Sequence, residues 1–266
     1  MLTVRPAYVA GRFYPGDTVA LGREVDRLLS AVTVPPDQPM PKALIVPHAG
    51  YVYSGPVAAS GYARLQRAGG SIERVVLLGP SHHVAFQGLA LPEADAFETP
   101  LGIVDLDLEA LAQIPQVRRS DAIHRPEHSL EVHLPFLQRV APKAKLVPLA
   151  VGQASPFQVA AVVEALWGGP ETVIVVSSDL SHYLPYRECR ARDEETARQI
   201  LRLDTALASE CACGAAPVAG FLEAARRKRL HPMLLDLRNS GDTAGGQEEV
   251  VGYGAFAFFE TGNGHP

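Results

Sequence analysis

Residues 74–83 read RVVLLGPSHH: a leucine- and valine-rich run that stops at a glycine, a proline and a serine, followed by two adjacent imidazoles. The run does not alternate apolar with polar, so it predicts a strand covered on both faces, as in the interior of a parallel sheet. Three other stretches have the same form: ALIVPH at 43–48, KLVPLAVG at 145–152 and TVIVVSSDLSH at 172–182. Between them lie segments of helical period. Residues 17–31 place Val19, Leu21, Val25, Leu28 and Leu29 on one stripe. Residues 56–68 start on a proline suited to a first helical turn, and 156–167 and 186–203 read alike. Strands alternating with helices predict an α/β layered fold, a mixed and largely parallel central sheet flanked by helices. The last strand is expected in VVGYGAFAFFE at 250–260. The proline-rich 32–42 reads as a connection, so one domain is expected over residues 1–266.

Composition narrows the partners. The chain has 266 residues, 47% of them hydrophobic, and a formal charge of −5 from 24 basic and 29 acidic residues. That leaves no broad basic surface for a phosphate backbone, so nucleic acid is not an expected partner. The basic run ARRKRL at 225–230 reads as the solvated end of a helix. No apolar run approaches the roughly 20 residues of a membrane helix. A cytoplasmic protein without a membrane partner is therefore expected. Cys189, Cys211 and Cys213 lack zinc-type spacing, and Cys211 and Cys213 are too close for a usual structural disulfide; all three read as reduced, incidental thiols.

In open α/β sheets, ligands bind just beyond the carboxyl ends of strands. Three of the buried runs end there in polar residues: His48 after the first, His82 and His83 after the second, Asp179 and His182 after the last. If the strands are parallel neighbours, these side chains meet on one rim, and imidazoles that converge suit iron, copper or zinc. Any one of them alone would more often bond a carbonyl. Around His48, PHAGYVYSGPVAA adds Tyr51 and Tyr53 as phenolic hydrogen bonders. A fourth cluster, HRPEHSLEVHLPFLQ, holds His124, Glu127, His128, Glu131 and His133, but it lacks the HExxH zinc spacing. With Ser129 capping a helix, Glu131 and His133 would sit in its first turns and orient metal ligands; side chains that simply face water are the equal alternative. Late in the chain, LDLRNSGDTAGG offers Asp236, Asp242 and Thr243 in a glycine-rich loop. Two histidines and Asp242 would make the two-histidine, one-carboxylate set of non-haem iron enzymes.

Taken together, PHAGYVYSG, LLGPSHH, FETPLG, EHSLEVHLPFLQ and VVSSDLSHY resemble the Memo-like family, the B component of the AmmeMemoRadiSam system, and they stand in that family's order. The resemblance runs from RPAYVAGRFYP to VGYGAFAFF, nearly the whole chain. It implies a fold similar to the class III extradiol dioxygenases, a phosphorylase/hydrolase-like architecture, whose iron is held by two histidines and a carboxylate. It further implies His48 and His82 as metal ligands and His182 as the acid/base facing the metal. His83 and Tyr53 would line the pocket, with His128, Glu131, His133 and Asp179 supporting the ligands. Animal Memo proteins carry a cysteine in the last loop, where this chain has Asp242 and Thr243. A thiolate favours copper(I) and a carboxylate iron(II). The expected set is thus His48, His82 and Asp242, holding Fe(II) or copper, with dioxygenase-like redox activity on an unidentified substrate. The alternative is a non-catalytic groove for a peptide or protein. The system's name also implies a radical-SAM protein and an AMMECR-type protein as partners. Any radical chemistry would be theirs, because this chain has no iron–sulfur cysteine motif.

Overall fold

The computed structural model describes residues 2–68 and 70–261. Eight strands form the main sheet: β2 (Ala43–Val46), β3 (Arg74–Pro80), β4 (Leu89–Leu91), β7 (Arg118–Arg119), β8 (Lys145–Val151), β9 (Thr172–Ser177), β10 (His231–Asn239) and β11 (Gly252–Phe259). A smaller sheet joins β1 (Val4–Arg5), β5 (Ala96–Thr99) and β6 (Gly102–Asp105) in the order β1-β5-β6. The main sheet runs β10-β11-β2-β9-β3-β8-β4-β7. Its centre, β2-β9-β3-β8, is wholly parallel, with Ala43 opposite Ile174 and Val75 opposite both Val173 and Leu146. Antiparallel pairings attach β11 to β2 on one side and β4 to β8 on the other.

The four central strands are the continuous apolar runs of the sequence, and every residue of β2 and β9 is buried. Each such Val, Leu or Ile contributes about 1.5–3 kcal/mol on leaving water, which pins both faces of the sheet against helices. One pair, α7 (Pro156–Ala165) and α9 (Ala215–Arg227), packs together, with α9 against β3 and β9. Another layer is built on α2 (Tyr51–Tyr62), which packs on β2, β10 and β11 and meets α1 (Thr18–Ser30) and α6 (Leu134–Val140). A further helix, α8 (Tyr186–Leu201), packs against β10 and β11. Short helices α3 (Leu108–Leu111), α4 (Asp121–His124) and α5 (His128–Glu131) fill the connection between β6 and β8.

Two local expectations change. The second helix begins at Tyr51, not at the proline, and Pro56 lies inside it. The carbonyl that loses its helical partner to Pro56 is that of Val52, whose residue is open to water, so the break is tolerated there. In the histidine-rich cluster the cap is Glu127, whose carboxylate accepts from Ser129 N–H, and Pro135 opens the next helix, α6. Ser129 is free for another task. Among the described residues, no helix is long and apolar enough to cross a membrane.

Candidate metal centre

The parallel centre of the sheet puts three polar residues at equivalent places. His48, His82 and Asp179 each stand two residues past the end of their strands, β2, β3 and β9. Because β9 lies between β2 and β3, the imidazoles come from either side of Asp179. The ring centroids of His48 and His82 are 5.1 Å apart, and His128 lies 5.4 Å from His48 and 4.5 Å from His82. These side chains, with Asp179, His182 and Cys213, line an open cleft of about 790 Å³ whose wall includes Phe13 and Tyr183.

His48 and His82 are each held in one tautomer by a partner on Nδ1. Ser177 Oγ donates its only proton to the Ser129 carbonyl at 2.6 Å. It can then only accept from His48 Nδ1, 2.6 Å away, so His48 Nε2 keeps its lone pair facing the cleft. His82 Nδ1 lies 2.9 Å from Glu127 Oε1, and the His82 backbone N–H donates to Oε2 at 2.6 Å. Burial alone would raise the Glu127 carboxyl, but these bonds and the one from Ser129 N–H outweigh it and hold it at about 2. An ionised Glu127 makes Nδ1 of His82 the donor and leaves its Nε2 free. This carboxylate–histidine arrangement is the usual support of a metal-ligating imidazole.

Cys213 supplies a third donor. Its Sγ is 3.3 Å from His48 Nε2, and the two histidines and this thiol offer ligand atoms within 4.8 Å of one another. The thiol comes from the turn that leads into α9, and Gly214 allows that turn to approach the end of β9. A Cβ at Gly214 would lie 2.7 Å from the Ser177 carbonyl oxygen and 2.6 Å from Ser178 Cβ. Burial, and then the Asp179 carboxyl, push the Cys213 thiol up, so it carries its proton in the metal-free protein. Burial, followed by the neighbouring histidines, pushes His48 well down, and burial lowers His182 as well. Asp179 is raised to about 7 by burial, against the hydrogen bonds from the backbone N–H groups of His48 and Ala49. His48 and His182 are therefore neutral near pH 7, the form in which an imidazole can bind a metal.

A family model described as Memo-like protein matches residues 5–257. The chain belongs to the Memo family. It is 36% identical over 268 residues to a MEMO1 family protein of Aquifex aeolicus, covering 95% of this chain and 98% of that one. A MEMO1 family protein of Archaeoglobus fulgidus is 35% identical over 274 residues, with 96% and 99% covered. One of Sulfolobus acidocaldarius is 31% identical over 277 residues, with 94% and 97% covered.

Within this Memo-family chain, the structure does not bring Asp242 to the histidines. Asp242 Oδ2 accepts from Asn239 N–H at 2.9 Å and Oδ1 from Tyr186 Oη at 2.5 Å, closing the short turn after β10. It lines a separate cleft of about 350 Å³ with Tyr186 and Arg190. Thr243 is likewise held locally, donating to the Ser240 carbonyl. Sequence reasoning missed Cys213 because its thiol arrives from a helix entry, not from a strand end. The cysteine–glycine pair immediately before an apolar helix was the available signal.

The remaining expected residues divide. Asp179, His128 and His182 line the cleft. His83 sits at its margin, with its ring 6.0 Å from His128, and Tyr53 is exposed on α2; neither is among the cleft's lining residues. Glu131 and His133 are buried beneath. Glu131 accepts from Arg5 Nη1 at 2.7 Å, Val9 N–H at 2.8 Å and Tyr14 Oη at 2.7 Å, so it fastens the N-terminal segment and not a ligand. Arg5 reaches on to the carbonyls of His124, Arg125 and Glu127. The segment so fastened delivers Phe13 against the His128 ring, 4.7 Å between centroids.

Proposed function

We propose that this Memo-family chain holds one transition-metal ion between His48 Nε2, His82 Nε2 and Cys213 Sγ, and that the centre serves redox chemistry on a small molecule or peptide entering the cleft. The observation that carries the reading is the convergence of two imidazole lone pairs, each released by a partner on Nδ1, with a thiol within 4.8 Å. The donor chemistry fits such an ion. Metal–nitrogen and metal–sulfur bonds of about 2.1 and 2.3 Å demand donors closer together than unrelated side chains usually lie. Two imidazoles and a thiolate also favour a soft ion, copper(I) above iron(II). When bound, the ion would supply Lewis acidity and a one-electron couple.

The chain's own residues set the conditions around it. Asp179 and His182 stand in the same cleft, one carboxyl near its midpoint at about pH 7 and one neutral imidazole, so they are the groups able to hold and pass a proton to a substrate. With only three protein donors, an ion held here would keep room for a ligand from the cleft, which favours turnover over a purely structural role.

The test is metal content by elemental analysis of protein purified anaerobically without chelators and reconstituted with copper(I) or iron(II). The parent is expected to hold close to one ion per chain, with His48→Ala, His82→Ala and Cys213→Ser losing it and Asp242→Asn keeping it. A parent that takes up neither metal would end the redox reading and leave the cleft as a binding groove.

A further inference from the structure

His82 has two ring nitrogens, and the proposed centre uses only Nε2. On the other side of the ring, Nδ1 faces Glu127 Oε1 at 2.9 Å, and His128 Nδ1 lies 3.6 Å from the same oxygen. His82, Glu127 and His128 again offer three ligand atoms within 4.8 Å of one another. Bonds of about 2.1 Å at tetrahedral or octahedral angles separate donors by about 3.0–3.4 Å, so two of these gaps already bracket what an ion would impose. The donors differ in kind from those of the first centre: two imidazoles and a carboxylate, with no sulfur.

We propose that the cleft contains a second, alternative metal seat formed by His82 Nδ1, Glu127 Oε1 and His128 Nδ1, selective for a hard divalent ion, manganese(II). The inference rests on the assignment of His82 to the thiol-containing centre. Nitrogen and oxygen donors suit such ions, whereas the thiolate seat draws soft ones. The Glu127 side chain is fully buried, so its negative charge is weakly screened by water and offsets half the charge of a divalent ion there. His128 must turn about its Cβ–Cγ bond, since its ring is tilted only 23° from that of His82. Among the described residues, no hydrogen bond to the ring opposes that turn.

The two seats exclude one another through the shared ring. An ion on Nδ1 displaces the proton now donated to Glu127, and that proton moves to Nε2, leaving His82 neutral. Nε2 then has no lone pair for the thiol-containing centre, and the reverse holds when a soft ion is on Nε2. The cleft would thus sort two classes of metal by which face of one histidine they take.

The experiment is a pair of titrations of the full chain, manganese(II) followed by its electron paramagnetic resonance signal and copper(I) by competition with a chromophoric chelator. In His128→Ala, manganese(II) affinity is expected to fall by at least about tenfold while copper(I) affinity is kept, which also shows that the variant is folded. Cys213→Ser is expected to do the opposite, and loading with copper(I) should expel manganese(II) from the parent. Manganese(II) binding that is absent in the parent, insensitive to His128→Ala, or unaffected by copper(I) overturns the second seat. Those results leave the first centre standing as long as copper(I) binds and Cys213→Ser removes it; loss of copper(I) binding in the parent is the separate failure of the first centre.

Discussion

Ser177 has one hydroxyl proton, and its destination decides which nitrogen of His48 faces the cleft. With that proton on the Ser129 carbonyl, the ring must donate from Nδ1 and present Nε2. Ser177→Ala removes the acceptor, leaves a buried ring N–H unpaired at a cost of about 1–3 kcal/mol, and allows the wrong tautomer. Copper(I) affinity is expected to drop about 10–100-fold in Ser177→Ala and to recover in Ser177→Thr, which keeps the hydroxyl and suits a strand end. Chelator competition measures both, and an unchanged affinity in the alanine variant would mean that the tautomer is set elsewhere. At this scale the sequence is legible where chemistry follows topology. His48, His82 and Asp179 could be read because each terminates a run that only a buried parallel strand explains. Cys213 was harder to read, with only the glycine after it as a signal, because its place depends on how closely one turn approaches another strand, a distance that no spacing in the chain records. Asp242 misled for the complementary reason: a carboxylate in a glycine-rich loop looks free, yet the turn itself consumes both of its oxygens.

The elements position the site through two close approaches, and glycines mark both. Where α9 crosses α7, a Cβ at Gly220 would lie 2.2 Å from Val159 Cβ; where the turn before α9 meets β9, one at Gly214 would lie 2.7 Å from the Ser177 carbonyl. Alanine at an interior helical position gains up to about 1 kcal/mol in propensity over glycine, but overpacking against stiff neighbours costs about 1–3 kcal/mol, so sterics win at Gly220. Gly220→Ala is expected to lower the urea midpoint with metal affinity unchanged. Gly214→Ala is expected to lower both, because the displaced turn carries Cys213. Denaturation with parallel copper(I) titration separates the two, and a Gly214→Ala variant that binds as tightly as the parent would detach the thiol from the centre. Strands were more legible than helices at this scale. Apolar runs fixed β2, β3, β8 and β9 closely, whereas α2 began before its proline and the cap of α5 was Glu127, since helix ends are decided by local hydrogen bonds that compete on nearly equal terms.

Over the molecule as a whole, gathering so many imidazoles in and under one cleft makes stability depend on pH, and the sign follows from burial. His124 and His128 are pushed down from the usual 6.5 to about 4 and His133 to about 3, in each case chiefly by burial. Between pH 6.5 and 4 the unfolded chain therefore binds protons that the folded one refuses. These histidines contribute their full stability above about pH 6.5 and lose it as the pH falls toward 4. Asp179 acts the other way: raised by burial from 3.8 to about 7, it favours the folded state below pH 3.8 and loses that contribution as the pH rises through 7. Glu127, held at about 2, falters only below its usual 4.5 and so stays out of this window. Each titrating group bends the stability curve by about 1.4 kcal/mol per pH unit, and the lowered histidines, His48 and His182 among them, outnumber the raised aspartates Asp179 and Asp193. The urea midpoint of the metal-free protein is thus expected to fall steadily from pH 6.5 to 4.5. His124→Gln, which keeps a donor for the Ala90 carbonyl, should flatten the fall by one histidine's share. A midpoint that stays level or rises on acidification would mean that these rings titrate freely, and that the packing which holds His128 and the cleft floor in place is looser than the hydrogen bonds around Glu127 and Glu131 imply.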